Sequence, residues 1–561
     1  MNLLVSLTSD ENWVGGGNGT ITITNNGSSD LTNWSFNLVT NNFTLTQIWQ
    51  LKITSTPGTN SILISPNDWN PTIKASETLS SGFSYNGVQF FSYDTTTSGV
   101  TIINKVPSTP TDPLAIKLDL TKNKNVFAYY TEWSIYQLQY PTNMIPGDQI
   151  THVVYAFMLP NPSQGDFNIL SSNYNFPPKP YTAPPTVPEG QLVSQDSYAN
   201  SINIEGLKIL KQKYPHIKVL ISVGGWTMSW TLSKVAADPA LRKTFVTSLV
   251  KFVTSNGFDG LDIDWEFVGK QGIGFNYVDV VNDQPNFIQM LKDLRAELDR
   301  VSPTKHLLIA SAMGTNPIVI KNYLGTEPYI DHLLLMTYDY YGSFSDGGHL
   351  SALYPGGTMD PDFNASKAIS NALSIGYAPE KLHMGLPLYG RGWKNIQPLD
   401  PTNPIYGSST MGPADTRSGS AGEPGLTFWK DLKPLITSAT SGFIEYFDPI
   451  AQAYYMRNAT GETWTYDNER SIQFKTTYAL DNNLGGLMFW ELSNDIRNDQ
   501  KNSLISIAVD TINKSGIFTK GEIKGETKGD LSLGVKIIIQ NNTLDDIVIR
   551  ANSTYTFEIK N

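Results

Sequence analysis

Eight short apolar runs, most of them separated by helical patterns, occupy the chain between residues 125 and 490. Leu241–Thr254 and Asn286–Leu298 are two of the helical patterns. Alternating strands and helices favour a parallel sheet, and eight such units predict an α/β fold, a (β/α)8 TIM barrel with insertions. Because active sites of such barrels lie at the carboxyl ends of the strands, we expect chemically active residues at the end of each run. The runs are Val126–Tyr130, Ile150–Phe157, Ile217–Val223, Phe258–Phe267, Leu307–Met313, His332–Tyr338, Leu382–Pro387 and Leu484–Trp490.

Other segments flank and interrupt the predicted barrel of residues 119–513. Residues 1–105 contain short alternating runs rich in Thr and Ile, with turn signals between them, which predict a β-sandwich. Residues 106–118 are spaced by prolines and are interpreted as a stiff linker. Residues 394–466, between the seventh and eighth strands, carry their own strand signals and predict a small α+β insertion. Residues 514–561 contain two β-like runs and predict a C-terminal β appendage of unknown role.

Composition restricts the class of partner. The net charge of −11 argues against a nucleic acid or an anionic membrane as partner. The absence of cysteine excludes disulfides and thiolate metal sites. Charged residues make up only 16%, whereas 12 Trp, 27 Tyr and 24 Phe supply many rings, which suits binding to neutral polar surfaces such as glycans. We expect an extracellular protein, although the sequence has no recognisable signal peptide and no apolar stretch of transmembrane length.

The fourth run is unusual because four carboxylates fall within eight of its residues. In an extended strand Asp262, Asp264 and Glu266 share one face, with roughly 6–7 Å between neighbours. The alternate positions are apolar, so the opposite face is expected to be buried. Like charges at this spacing raise at least one pKa, and a proton shared within the row would keep Glu266 protonated as a general acid. Asp259 lies off this face and is interpreted as structural.

The position of a nucleophile limits the substrate. Glycoside hydrolysis usually needs a second carboxylate at about 5 Å for retention or about 6.5–9.5 Å for inversion. Asp264 lies on the same strand as Glu266 and is badly placed to reach the opposite face of a sugar. If Glu266 is the acid, the nucleophile must come from elsewhere, and a 2-acetamido group of the substrate can supply it.

The sequence Asp-Gly-Leu-Asp-Ile-Asp-Trp-Glu, residues 259–266, closely resembles the Asp-x-x-Asp-x-Asp-x-Glu signature of family 18 glycoside hydrolases, the chitinases and their relatives. The resemblance extends in order over about residues 125–495. It implies hydrolysis of β-1,4-linked N-acetylglucosamine with retention, chitin or its oligosaccharides as partner, and neither metal nor cofactor. Four further segments resemble segments of that family, namely Ser222–Trp226, Met336–Asp339, Tyr389–Trp393 and Gly485–Glu491.

The resemblance also implies roles for individual residues. Glu266 would protonate the glycosidic oxygen and then deprotonate the attacking water. Asp264 would hydrogen-bond the acetamido N–H, and Asp262 would share a proton with it. Tyr338 would hold the acetamido carbonyl. The residues implied around these are Tyr129 and Ser222 as supports of the buried aspartate, Trp490 as the subsite floor, Met336 and Asp339 beside the reacting sugar, Trp133 on the glycon side, Trp226 and Phe344 on the aglycon side, and Tyr389 and Arg391 as polar contacts.

The N-terminal pattern Gly-Thr-Ile-Thr-Ile-Thr-Asn-Asn-Gly-Ser-Ser, followed by Asn-Trp-Ser-Phe, Ile-Trp and Asn-Asp-Trp-Asn, resembles family 2 carbohydrate-binding modules over most of residues 10–90. Trp34, Trp49 and Trp69 lie in or beside its strands and are the candidates for the sugar-binding surface of the module. For any single tryptophan the alternative, a place in the core, stays open.

Two other functions share features with this interpretation. An endo-β-N-acetylglucosaminidase acting on N-glycans has the same acid motif, although the predicted deep groove and the aromatic residues favour chitin. A non-catalytic chitin-binding lectin on the same fold typically lacks the acid, whereas Glu266 is present. A further hypothesis, compatible with each of these, is that the chain is one subunit of a larger secreted assembly.

Overall fold

The computed structural model describes residues 2–515 with gaps, the longest at residues 168–186. The predicted linker falls largely, and the C-terminal appendage almost wholly, outside the described residues, as does Trp69. Within the described ranges no helix is long and apolar enough to cross a bilayer. The gaps are residues 14–15, 41–42, 56–60, 69–70, 88–92, 95–96, 99, 103–115, 137, 168–186, 410, 416–422 and 498.

The N-terminal region is a β-sandwich, which confirms the prediction. A five-stranded sheet, β11-β1-β2-β9-β5, and a four-stranded sheet, β10-β4-β7-β6, enclose an apolar core, and β3 pairs with β8. Inward-facing residues alternate along the strands as period-2 patterning requires. The strands are β1 (Leu3–Trp13), β2 (Gly16–Asn25), β3 (Leu31–Thr32), β4 (Phe36–Thr40), β5 (Phe43–Ile48), β6 (Leu51–Ser55), β7 (Ser61–Pro66), β8 (Thr72–Ile73), β9 (Thr78–Gly87), β10 (Tyr93–Asp94) and β11 (Val100–Ile102).

Two tryptophans of the sandwich have opposite environments. Trp34 is only 4% exposed and its ring stacks at 6.2 Å on the ring of Phe36, so its assignment to the sugar-binding surface is wrong. It lies in phase with the core residues Phe36 and Leu38, because alternate positions face the same side. Trp49 is 51% exposed, and a Cβ on Gly82 would lie 1.9 Å from its ring. Trp49 therefore lies directly against the sheet with half of its surface free.

The second region is a closed parallel barrel, as predicted. β12 pairs in parallel with β13 on one side and with the eighth barrel strand, Gly486–Trp490, on the other, which closes the ring. The short β14 adds antiparallel to β13 outside the ring. The strands before the insertion are β12 (Asn125–Thr131), β13 (His152–Pro160), β14 (Leu192–Ser194), β15 (Lys218–Gly224), β16 (Gly260–Asp264), β17 (Leu308–Gly314), β18 (His332–Met336) and β19 (Leu382–Pro387).

The insertion before the eighth strand is α+β, as predicted, and it begins with Tyr389 rather than residue 394. Its antiparallel sheet has the order β23-β20-β26-β25-β24, and β20 pairs with two neighbours, so the segment after β19 belongs to this sheet. Its strands are β20 (Tyr389–Trp393), β21 (Ile396–Pro398), β22 (Gly407–Ser409), β23 (Leu426–Phe428), β24 (Phe443–Asp448), β25 (Ala453–Asn458) and β26 (Thr463–Tyr466), and the eighth barrel strand is β27.

Helices bury their apolar stripes in the large core around the barrel strands. Local sequence sets their ends. Asp238 accepts hydrogen bonds from the N–H groups of Ala240 and Leu241, and Pro239 is the first residue of α3. The helices are α1 (Ser197–Lys213), α2 (Leu232–Ala237), α3 (Pro239–Ser255), α4 (Asp283–Val301), α5 (Pro317–Asn322), α6 (Ala365–Ser374), α7 (Trp429–Thr437), α8 (Glu469–Asp481) and α9 (Leu504–Lys514).

Candidate active site

A row of acids emerges from the carboxyl end of β16. The strand ends at Asp264 rather than at residue 267, so Glu266 lies two residues beyond the last ladder position. The alternation nevertheless continues past the strand. Trp265 packs edge-on against Phe287 of α4 at 5.6 Å, in the core outside the barrel. The acids consequently face the barrel interior.

Asp262 is the deepest acid of the row and is fully buried. Tyr129 of β12 donates its hydroxyl hydrogen to Asp262 Oδ2 at 3.0 Å, and Ser222 of β15 donates to the same oxygen at 2.6 Å. Burial raises the pKa of Asp262 to about 6, and these two hydrogen bonds act in the opposite direction. Two other strands of the barrel thus hold one carboxyl oxygen in place.

Asp264 and Glu266 lie progressively nearer the barrel mouth. Burial raises the pKa of Asp264 well above its usual range, and the charges of Glu266 and Asp262 add to the rise. Its Oδ1 has no hydrogen-bond partner among the described residues. Burial, with the negative charge of Asp339, raises the pKa of Glu266 to about 8. At neutral pH the row therefore retains protons that exposed carboxyls would have lost.

Asp339 follows β18 in a left-handed conformation, with a φ of 56°. Arg391 of β20 binds it through two contacts, Nε to Oδ1 at 2.9 Å and Nη2 to Oδ2 at 3.2 Å. The same guanidinium contacts Glu423 at 2.5 Å. This fork geometry is the strong form of an arginine–carboxylate pair. The structure therefore places Arg391 between two acids, with its own charge committed to them.

Tyr338 lies between the acid row and the insertion. Within the described part of the chain its hydroxyl donates to the sulfur of Met488, a weak acceptor, at 3.8 Å. Its ring meets the ring of Tyr389 edge-on at 6.3 Å. Burial raises the pKa of Tyr338 well above its usual range, and the charge of Asp264 adds to it. The hydroxyl is therefore a neutral donor for a ligand. The partly buried Met336 ends β18 beside it.

Buried polar contacts fix the segment that carries Tyr338. Lys475 of α8 donates to both carboxyl oxygens of Asp467, at 2.6 and 2.7 Å, and to Ser351 Oγ at 2.7 Å. Ser351 donates in turn to the carbonyl oxygen of Thr337 at 2.7 Å. These contacts join residues far apart along the sequence, and no pattern in the sequence predicts them.

Aromatic rings surround the acid row on one side. Trp490, at the end of β27, lies 5.1 Å from Tyr129 and stacks on Phe157 at 5.7 Å. Trp133 is 39% exposed and lies 6.4 Å from the same Phe157. Phe157 therefore joins two proposed sugar-contacting rings, a role that the sequence interpretation missed although Phe157 ends the second apolar run.

Trp226 and Phe344 are the more exposed rings, at 48% and 63%. Trp226 follows β15 and lies edge-on to Phe267 at 6.3 Å. Phe344 lies 5.7 Å from the guanidinium of Arg391. Exposed rings that neighbouring groups hold in place are suited to stacking on a sugar face. Both rings are exposed, and their assignment to the aglycon side stays a prediction.

Comparison with known proteins assigns the barrel to a family. Residues 125–495 match the family model "Glycosyl hydrolases family 18". The chain belongs to glycosyl hydrolase family 18. The acid row, Tyr338 and Trp490 all lie within this family 18 region. Residues 4–103 match the model "Cellulose binding domain", that of the family 2 modules, and this stretch is the β-sandwich.

Relatives of this family 18 protein include two bacterial chitinases. Chitinase A of Pseudoalteromonas piscicida is 32% identical over 66% of this chain and 50% of the relative. Chitinase A1 of Niallia circulans is 31% identical over 68% of this chain and 58% of the relative. The chain thus spans about half the length of these curated relatives.

Solved structures show the same fold. Chitinase ChiA74 from Bacillus thuringiensis superposes with a TM-score of 0.61 and 30% identity, covering 71% of both chains. The Group IV chitinase of Ostrinia furnacalis, solved in complex with allosamidin, superposes with a TM-score of 0.58 and 26% identity, covering 70% of this chain and 98% of that one.

Proposed function

We propose that this protein is a chitinase that hydrolyses β-1,4-linked N-acetylglucosamine with retention, and that Glu266 is its acid/base. The observation that carries the proposal is the buried Asp264, whose Oδ1 has no hydrogen-bond partner among the described residues and which lies in the row between Asp262 and Glu266. Such an acceptor suits the N–H of an acetamido group. Its similarity to chitinases supports the same substrate class.

The nucleophile is proposed to come from the substrate. Asp262, Asp264 and Glu266 follow one another along β16 and its extension, with their side chains on the same face. They therefore cannot flank a sugar from opposite sides. Asp339, whose charge acts on Glu266, is held by both nitrogens of an arginine fork. The acetamido oxygen of the reacting sugar is already covalently attached beside the anomeric carbon, which makes its attack an intramolecular step.

In the first step Glu266 transfers its proton to the glycosidic oxygen. The bond from that oxygen to the anomeric carbon breaks while the acetamido oxygen forms a new bond to the same carbon. Asp264 accepts a hydrogen bond from the acetamido N–H and stabilises the positive charge that develops on the ring. Tyr338 donates its hydroxyl hydrogen to the acetamido oxygen and orients it.

In the second step the Glu266 carboxylate takes a proton from water, which attacks the anomeric carbon from the face that the leaving group vacated. The bond to the acetamido oxygen breaks, and two inversions give net retention. Asp262 shares a proton with Asp264 and is itself held by Tyr129 and Ser222. The row thus holds one proton fewer between the two steps, and the proton shared by Asp262 and Asp264 lowers the repulsion of the ionised Glu266.

The aromatic rings of the site are proposed to bind the polymer. Trp490 forms the floor under the reacting sugar, Trp133 extends the site on the glycon side, and Trp226 and Phe344 extend it on the aglycon side. Met336 lines the reacting subsite, and Tyr389 lies beside Arg391 as a polar contact. Arg391 reaches the substrate chiefly by holding Asp339, since both of its forked contacts go to that residue.

The decisive experiment is Glu266→Gln assayed on chitin oligosaccharides. We expect turnover to fall by at least about a thousandfold, while binding persists, because the amide keeps the shape and loses the proton. Glu132→Gln is the matched control, because Glu132 is also a buried carboxyl whose pKa is raised to about 8, and it accepts a hydrogen bond from Ser194. Undiminished turnover in Glu266→Gln would refute the proposal.

Product analysis separates the alternatives. The first product released from an oligosaccharide should be the β-anomer when followed by NMR at early times. Release of whole glycans from a high-mannose glycoprotein, without chitin turnover, would instead identify an endo-β-N-acetylglucosaminidase. Binding of chitin without any hydrolysis would identify a lectin.

The sandwich is proposed to bring the enzyme to insoluble chitin outside the cell. Trp49 is the described aromatic that offers a free face on it. We expect Trp49→Ala to lower activity on insoluble chitin by a few-fold and to leave activity on soluble oligomers unchanged. Trp34→Ala, which empties the core, is the contrasting variant and should lower stability by about 3–5 kcal/mol. Equal loss on both substrates with Trp49→Ala would show that Trp49 has a structural role.

A larger secreted assembly remains a separate proposal. Size-exclusion chromatography of protein from its native source would test it, and a lone monomer would count against it.

A further inference from the structure

The main chain of Glu266 is hydrogen-bonded on both sides by side chains. Its N–H donates to Ser229 Oγ at 2.9 Å. Its carbonyl oxygen accepts from Asn276 Nδ2, also at 2.9 Å. β16 ends at Asp264. If the strand continued through Glu266, a neighbouring strand would bond its main chain, and the two side chains take that place. Two side chains from outside β16 therefore determine where the chain turns at Glu266.

Ser229 joins the segment after β15 to both acids at the end of β16. It is almost fully buried, and its Oγ lies 2.8 Å from the carbonyl oxygen of Gly225 and 3.1 Å from that of Asp264. One hydroxyl hydrogen serves these two acceptors, while the oxygen accepts from Glu266. The Gly225 N–H also donates to the Asp264 carbonyl oxygen, at 2.7 Å.

Close approach of the backbone accompanies these bonds. A Cβ on Gly224, which has a φ of 112°, would lie 2.1 Å from the carbonyl oxygen of Asp264. Glycine is therefore required there on two grounds, the left-handed backbone and the missing space. The approach places Ser229 within reach of the peptide groups on both sides of Trp265.

Asn276 follows Glu266 in the sequence, whereas Ser229 precedes it. Its own N–H donates to the carbonyl oxygen of Ile273 at 3.0 Å, and Gln271 Nε2 donates to its carbonyl oxygen at 3.0 Å. A Cβ on Gly272 would lie 2.3 Å from the carbonyl oxygen of Glu266. The loop of residues 271–276 thus packs against Glu266 and holds the side-chain amide of Asn276 at the carbonyl oxygen of Glu266.

We infer that Ser229 and Asn276 are positioning residues that clamp the main chain of Glu266 and so aim its carboxyl group at the glycosidic oxygen. The inference rests on the proposed function of Glu266. A misplacement of about 1 Å in a reacting group can cost a hundredfold in rate, so a main-chain clamp has a large effect without touching the substrate.

Single substitutions test the clamp on soluble chitin oligosaccharides. Ser229→Ala and Asn276→Ala should each lower kcat by about ten- to a hundredfold with KM changed less than about threefold, because only the acid is displaced. Ser229→Thr keeps the hydroxyl and should recover most of the lost rate. Ser506→Ala is the matched control, since Ser506 is as buried but bonds Gln149, and it should leave kcat unchanged.

The outcomes separate the clamp from the proposed function. If Glu266→Gln retains turnover, the proposed function fails and the clamp fails with it. If Glu266→Gln is inactive but both alanine variants keep kcat within twofold of the wild type, the clamp alone is overturned. If Ser229→Ala does not fold, Asn276→Ala decides by the same criterion. A higher KM with an unchanged kcat would also overturn the clamp.

Discussion

The two ends of the barrel each bury a cluster of titratable side chains, acids at one end and histidines at the other. The acid row lies where β16 ends. At the opposite end His152, His332 and His383, at the starts of β13, β18 and β19, surround Phe127. The ring of His332 lies 5.3 Å from that of His152 and 5.0 Å from that of His383. We refer to these three residues as the histidine cluster.

Burial shifts the pKa values of the two clusters in opposite directions. Burial disfavours the charged form of any group, which raises the pKa of an acid and lowers that of a base. It raises the pKa of Glu266 to about 8 and lowers the pKa of His332 to about 4. It also holds the pKa of His152 and of His383 well below the usual range, and the neighbouring His332 adds to this. The other charged groups whose charges act on the histidine cluster are Lys124, Lys218, Lys381, Asp331 and His306.

The difference is one of use. A neutral acid still carries a transferable proton, so burial at the mouth of the barrel creates a proton donor. A neutral imidazole in the histidine cluster serves as a flat ring that fills the barrel floor. His152 Nε2 and His332 Nδ1 have no hydrogen-bond partner within the described part of the chain. In the proposed mechanism, desolvation serves catalysis at one end of the barrel and packing at the other.

The comparison gives opposite pH dependences of stability. Glu266 has a folded pKa above its unfolded one, so its contribution is present below about pH 4.5 and is lost as pH rises towards 8. His332 has a folded pKa below its unfolded one, so its contribution is present above about pH 6.5 and is lost as pH falls towards 4. A substitution that removes one of the two groups should leave the pH dependence of stability that the other group causes.

The largest expected effect comes from Glu266→Gln. Activity should fall by at least about a thousandfold, while stability at pH 7 should rise by about 3 kcal/mol, because the unfolded chain no longer gains by ionising. Urea unfolding at pH 4.5 and pH 7 measures the difference. The gain should be near zero at pH 4.5; a gain that is equal at both pH values would break the link between burial and the pKa of Glu266.

The next effect comes from His332→Phe, which keeps a ring and removes the titration. We compare the free energy of unfolding of the variant with that of the wild type at two pH values. The variant should gain about 2–3 kcal/mol on the wild type between pH 7 and pH 4.5, because unfolding at pH 4.5 lets the wild-type histidine take up a proton. The measurement is again urea unfolding. His216→Gln, outside the cluster, is the control. Loss of activity at pH 7 in His332→Phe would show that the two ends are not independent.

The sequence predicts the barrel because its strands are buried on both faces and appear as apolar runs between helical patterns. The acid row is readable for a related reason, since period-2 alternation survives even where the strand stops. The end of β16 at Asp264 was missed because alternation continues through Trp265 after the ladder has ended. The sequence interpretation left the choice between Trp34 and Trp49 open, although Trp34 lies in phase with Phe36 and Leu38 of the core.

Contacts made by barrel closure were not readable. Ser229 reaches Glu266 across 37 positions, and nothing in the sequence around a single serine marks that contact. His152, His332 and His383 belong to strands that are far apart along the chain. A weak signal did exist, because each lies at the start of an apolar run, and parallel strands bring their starts to one end of the barrel.

The smallest expected effect is in the pH profile of kcat/KM, which reports the free enzyme. Since the proposed mechanism requires a protonated Glu266, kcat/KM should fall about tenfold per pH unit above about pH 8. Asp339→Asn removes the negative charge that raises the pKa of Glu266, so the alkaline limb should move to lower pH. His332→Phe should leave the limb where it is, because the histidine cluster lies at the other end of the strands. An equal displacement in both variants would mean that the acids and the histidines titrate as one system.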